Sequence, residues 1–117
     1  MRAALAVVSL VALLGCGSSS LPPAPAPAGA LYAAWNCGAC HGESRQGTEL
    51  APSLRRLGAS WDEDALTAFL ADPDAAVATK PHLQAYRARF PAPMPPFQKA
   101  EGERRTLAAW LLQESAP

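Results

Sequence analysis

Net charge, sulfur, aromatic rings and long apolar runs are all scarce in this chain of 117 residues. Ten basic residues balance ten acidic ones. No surplus of positive charge exists to hold a phosphate backbone, and no nucleic-acid partner is expected. The aromatic side chains number three Trp, two Tyr and three Phe, and the chain carries twelve Pro. Half the residues are apolar, much of that alanine. A domain of this make-up buries little surface for its size, and such chains lean on a staple or a bound group. The length suits one domain and not two. The longest apolar run, Ala3 to Leu14, is broken only by Ser9. It is too short to cross about 30 Å of hydrocarbon at about 1.5 Å per residue. No internal repeat and no convincing strand pattern is present.

What is there begins with a leader. Met1-Arg2 followed by that apolar run reads as a secretory signal peptide. Its end, Leu13-Leu14-Gly15-Cys16, resembles the bacterial lipobox, whose cysteine is acylated and becomes the mature N-terminus. An ordinary signal peptide with a chance cysteine, or an uncleaved anchor, is the plainer reading. Residues 1–15 are therefore expected to be a signal peptide and Cys16 a lipidation site that holds the mature protein to a bilayer. Residues 17–28, "GSSSLPPAPAPA", hold three Ser and four Pro. Alternating Pro-Ala favours extended polyproline II, so residues 16–28 read as a lipidated tether with a reach on the order of 30 Å. The expected location is the periplasmic side, anchored to the cytoplasmic or the outer membrane. Gly17 rather than Asp after Cys16 leans toward the outer one. Residues 29–117 form the globular domain.

That domain reads as all-α, three to five helices with long loops. "GALYAAWN" forms a short first helix and residues 42–59 a loop punctuated by Gly42, Gly47, Pro52 and Gly58. In "SWDEDALTAFLADP", Ser60 and Glu63 match a capping box, Leu66, Phe69 and Leu70 recur at helical spacing, and Pro73 ends the run. Pro81 opens a further helix that places Leu83, Tyr86 and Phe90 on one face. "PAPMPPF" suits neither helix nor central strand. The final helix begins near Ala100, with Leu107, Trp110 and Leu111 on one stripe.

Two of the three cysteines and one of the two histidines fall in "NCGACHG", residues 36–42. A closed zinc site needs four ligands, and beyond this stretch only His82 offers a soft donor. A thioredoxin-like disulfide belongs at a strand-to-helix turn, and no strand is in evidence. With Cys16 on lipid, Cys37 and Cys40 are the only remaining pair. Cys-x-x-Cys-His is the attachment site of c-type haem: both sulfurs reach one haem edge and the adjoining His41 lies under the iron. A six-coordinate iron then needs a second axial ligand. Met94, in a loop stiffened by Pro93, Pro95 and Pro96, is the first candidate, and His82 the alternative.

With these residues the chain resembles the class I c-type cytochromes over residues 29 to about 114. Gly29 matches the glycine that lets the last helix of that family cross the first, and Leu107, Trp110 and Leu111 resemble the pattern that crosses it. Pro52, eleven residues after His41, resembles the proline whose carbonyl takes the proximal histidine Nδ1–H and so sets the tautomer. Leu54 then packs on the haem, and Met94-Pro95-Pro96-Phe97 resembles the distal-ligand loop. The resemblance implies one covalent haem c, with thioethers from Cys37 and Cys40, His41 as proximal ligand and Met94 as distal ligand. Residues 72–93 depart from the compact members of the family. Trp61 stands either near a propionate or in the plain core. Arg55 and Arg56 are either propionate partners or solvated surface.

The resemblance implies an electron carrier rather than an enzyme: a membrane-tethered, monomeric, single-haem protein that passes one electron between redox protein partners. A dedicated haem subunit of an oxidase or dehydrogenase, or a gas-binding haem sensor, is the alternative. Gly38, Ala39 and the Ala/Pro-rich Met94 loop predict a mostly apolar docking surface whose transfer rate responds little to salt.

Overall fold

The computed structural model describes residues 27–114. The expected signal peptide, Cys16 and the expected tether before Pro27 lie outside the described residues. Among those described, the chain is helical throughout and no strand occurs. The elements are α1 (Ala28–Ala34), α2 (Gly38–His41), a 3-10 turn (Leu57–Ala59), α3 (Glu63–Ala71), α4 (Pro73–Val77), α5 (Pro81–Arg89) and α6 (Glu101–Glu114). None of these helices is long and apolar enough to cross a membrane. The all-α architecture is the expected one. The count exceeds the expected range because α2 and α4 are short, four and five residues each, below the length at which apolar periodicity shows.

α6 is the spine. Both α1 and α3 pack on it, and the core they enclose comprises Leu31 and Tyr32 of α1, Leu66 and Leu70 of α3, and Leu107, Ala108 and Leu111 of α6. Phe97, from the loop before α6, completes it. Leu107 is 1% exposed and Ala108 fully buried; removing a buried leucine side chain at such a point costs about 2–5 kcal/mol. An exposed ion cluster borders the α3–α6 contact, where Arg105 of α6 meets Asp64 at 2.7 Å and Glu63 at 3.1 Å. Exposed pairs of this kind add little stability and chiefly set orientation.

Helix starts differ from expectation in one place. α3 is capped by Asp62, whose carboxylate accepts the Ala65 N–H at 2.8 Å, and not by a Ser60–Glu63 box. The 3-10 turn takes residues up to Ala59, with the Ser60 N–H bonded to the Leu57 carbonyl. The helix therefore begins two residues later, and the Glu63 carboxylate is turned to Arg105. Pro73 does end α3, but it also opens α4: Asp72 closes one helix and caps the next by accepting the Ala75 N–H. Pro81 sits in the first turn of α5 as expected. Of the face expected to carry Leu83, Tyr86 and Phe90, only Leu83 is buried; Tyr86 is 40% exposed. Phe90 has left the helix in extended backbone. α5 packs chiefly on α4, so this face is covered at Leu83 and left open at Tyr86.

Gly29 faces Trp110 across the α1–α6 crossing, as the resemblance implies. An added Cβ would meet Trp110 Cζ2 at 3.6 Å, ordinary contact. The crossing therefore does not demand glycine. Gly29→Ala is expected to leave the unfolding free energy within about 1 kcal/mol of wild type, since helix propensity favours alanine by up to about that amount. Urea unfolding checks this, and a loss well above about 2 kcal/mol would mean the helices cross more tightly than the contact distance allows.

Candidate functional site

The Cys37–His41 stretch is held from both ends by backbone hydrogen bonds. At its N-terminal side α1 ends in a Schellman turn. The Asn36 N–H bonds the Ala33 carbonyl and the Cys37 N–H the Tyr32 carbonyl, with Asn36 in the left-handed region at φ 57°. Asparagine is among the few residues that adopt this conformation readily, which accounts for the residue in front of Cys37. The chain then turns at once into α2, a single turn that carries Ala39, Cys40 and His41.

A helix that short leaves its last carbonyls without internal partners. Three different donors supply them. The Thr48 hydroxyl donates to the Cys40 carbonyl at 2.5 Å, the Gly47 N–H to the His41 carbonyl at 2.8 Å, and the Tyr32 hydroxyl to the Gly42 carbonyl at 2.7 Å. Gly42, at φ 86°, reverses the chain. Gly47, at φ 84°, lies against the 52–53 backbone so closely that a Cβ would stand 2.6 Å from the Ser53 nitrogen; only glycine fits there.

This packing brings Pro52 to His41. The imidazole is 8% exposed, and its Nδ1 is 2.8 Å from the Pro52 carbonyl. A carbonyl can only accept, so Nδ1 carries the proton and Nε2 keeps its lone pair. Burial pushes the His41 pKa below its ordinary value, while the Pro52 carbonyl acts the other way. The ring is thus held neutral, the state that coordinates a metal. Nε2 has no protein partner among the described residues. Cys37 is half-buried and Cys40 exposed, both as free thiols. Burial pushes the Cys37 thiol up, opposed by its own backbone N–H, with Cys40 raising it further.

The remaining expected residues are placed as follows. Leu54 and Met94 are half-buried and pack on the core cluster, together with Cys37, Leu57, Trp61 and Phe69. The Met94 loop is pinned three residues on, where the Phe97 N–H bonds the Leu70 carbonyl at 2.6 Å and the Phe97 ring meets Trp35. Trp61 stacks on Phe69 with ring centroids 5.0 Å apart and carries the Lys80 ammonium 4.7 Å from its ring. His82 stands edge-on to Trp61, and its Nε2 is buried without a hydrogen-bond partner. Arg55 and Arg56 are exposed. No cluster of three or more His, Cys, Asp or Glu suited to a metal ion occurs among the described residues.

The residues fit a covalently attached, axially ligated group. Two free thiols flank two small residues, an oriented imidazole follows, and a thioether lies against the same core as a set of apolar side chains that the chain leaves partly uncovered. A helical domain so equipped belongs with the proteins that carry a prosthetic group on side-chain bonds. The family model for cytochrome c matches residues 26–115, and the chain belongs to the cytochrome c family. Members bind covalent haem c and transfer electrons. No curated protein and no solved structure matches the chain.

Tyr32, Gly47 and Thr48 carry the site's backbone; the roles of Tyr32 and Thr48 escaped the sequence reading, and Gly47 was read only as loop punctuation. Burial pushes the Tyr32 pKa above its ordinary value of 10.0, with Cys37 adding to the rise and Arg45 opposing it. The folded state therefore keeps a proton that the unfolded chain loses, and this contribution is intact below pH 10 and declines as pH rises above it. Tyr32→Phe removes one of the two hydrogen bonds on the Gly42 carbonyl, which keeps the Arg45 N–H at 3.0 Å, and is expected to cost about 0.5–1.5 kcal/mol at neutral pH. Denaturant unfolding should show the gap between wild type and variant narrowing above pH 10; a gap that stays constant or grows would contradict the assignment.

Proposed function

We propose that this protein is a membrane-tethered, single-haem c-type cytochrome that passes one electron between redox partners. The observation that carries the reading is the buried, neutral His41, fixed by the Pro52 carbonyl inside a Cys-x-x-Cys-His turn with Nε2 left unengaged. Haem c, when bound, supplies an iron that accepts and returns one electron. Cys37 and Cys40 would hold it as thioethers, His41 Nε2 and the Met94 sulfur would be its ligands, and Leu54 would pack against it. A neutral thioether favours the ferrous state, and an apolar pocket disfavours the extra ferric charge, so both raise the potential. The Pro52 carbonyl fixes the imidazole tautomer and its angle. The backbone bond at Phe97 ties the loop that carries Met94 to α3, which would help to hold the sulfur in place.

Anchoring through acylated Cys16, export to the periplasmic side and a monomeric state belong to the same reading. A tether confines the domain to a sheet and raises its concentration near membrane partners. His82, with its unpartnered Nε2, keeps the second place as distal donor.

Optical spectra of the matured protein test the ligand set. The oxidised wild type is expected to show the weak near-infrared band of iron–thioether bonding, lost in Met94→Ala and retained in His82→Gln. Loss in His82→Gln alone would reassign the ligand, and immediate CO uptake by reduced wild type would favour the sensor. Stable co-purification with a larger complex would favour the dedicated subunit. For the anchor, Cys16→Ser is expected to move the protein from the membrane fraction to the soluble one; a variant that still sediments with membranes would remove the lipid attachment from the reading.

A further inference from the structure

An open groove of about 560 Å³ runs between the 46–56 loop and the C-terminal half of α5. Every charged side chain lining it is a guanidinium, from Arg55, Arg56 and Arg89. Among the described residues none of the three enters an ion pair, whereas Arg45, Arg87 and Arg105 are each paired with carboxylates elsewhere. In a chain with equal numbers of acids and bases, this is a segregation of positive charge. Arg55 is steadied by its Nε–H to the Ser44 carbonyl at 3.2 Å. The Arg89 guanidinium lies 5.2 Å from the Phe90 ring, and Tyr86 stands 5.9 Å from the same ring. The groove thus combines uncompensated cations with exposed aromatic surface, and its wall at Pro52 is one hydrogen bond from His41.

The complement of such a surface is a set of carboxylates. All three arginines are exposed, so their pairing with an anion adds encounter rate and orientation more than affinity. That suits a partner that must leave after each transfer. Resting on the electron-carrier reading, we propose that this groove docks an acidic face of the protein redox partner, beside the proximal ligand. This surface is distinct from the apolar one expected around Gly38, Ala39 and the Met94 loop, and the two differ in their response to salt.

The test uses the ferrous holoprotein, labelled with nitrogen-15 and titrated with an octaglutamate peptide at low ionic strength. Amide shifts confined to residues 47–56 and 86–90, which saturate, are expected. Binding should weaken at least about tenfold in the Arg56→Glu/Arg89→Glu variant, which spares the Arg55 bond to the loop, and also at about 0.15 M salt, where the Debye length is about 8 Å. The variant should keep the wild-type optical spectrum and midpoint potential. Shifts centred on residues 36–40 and 92–96, an absence of binding, or binding that survives charge reversal would each overturn the proposal. So would a lowered midpoint potential with unchanged peptide binding, because the guanidinia would then serve the carboxylates of the prosthetic group. Reversible one-electron reduction of the wild type tests the carrier reading separately, whatever the peptide does.

Discussion

A helix of one turn cannot satisfy its own carbonyls, and most of the proximal side of this protein is arranged around that deficit. The Cys-x-x-Cys-His segment needs a turn of helix to set its side chains, yet a four-residue helix ends with acceptors it cannot pair itself, and those of His41 and Gly42 belong to buried residues. The solutions come from separate places: a tyrosine hydroxyl from α1, an amide from Gly47 and a hydroxyl from Thr48. Once Gly47 and Thr48 are committed, the chain must fold back within a few residues, and the Thr48 N–H closes that return on the Ala51 carbonyl at 3.0 Å. Pro52 then arrives at His41 as a consequence of the same loop.

The loop is braced from outside by Arg45. This residue sits in the left-handed region at φ 60°, an uncommon state for a long side chain. Its carbonyl accepts from the Leu54 N–H and the Ser53 hydroxyl, and its guanidinium lies over Trp110 and reaches Glu114 on α6. One strained residue thereby joins the loop that orients His41 to the helix that organises the core. Trp110 in turn covers Gly29 and tilts against Tyr32, so the hydroxyl that holds Gly42 is positioned by the α1–α6 contact. The site and the core share these side chains.

The sequence made some of this legible. The apolar spacing in α3 and α6, the proline at the start of α5 and the Cys-x-x-Cys-His spacing are local signals, each contained in a dozen residues or fewer. Pro52 was reachable because a family pattern ties it to His41. Tyr32 and Thr48 were not, because nothing about one tyrosine or one threonine announces a carbonyl ten or eight positions away. Ser60 and Asp62 are both good caps, and the choice between them depended on a 3-10 turn with no periodic signature. Tyr86 and Phe90 followed a helical stripe, but a stripe records what a helix can bury and not whether a neighbour is there to bury it. Asn36 and Gly47 did carry a readable cue, since each is a residue type that tolerates positive φ.

The proximal contacts have a common scale. Tyr32 to Gly42, His41 to Pro52 and Cys40 to Thr48 each span eight to eleven residues, whereas the Met94 loop is secured to α3 across the whole of α4 and α5. Closing a short loop sacrifices less chain entropy than closing a long one. The half of the pocket that bears the cysteines is therefore the entropically cheaper half to assemble, and it draws on residues contiguous in the chain. The half that bears Met94 closes the longer loop, at the Phe97–Leu70 bond. A prosthetic group bonded to Cys37 and Cys40 would stay with the short-loop half whenever the long-loop half opens.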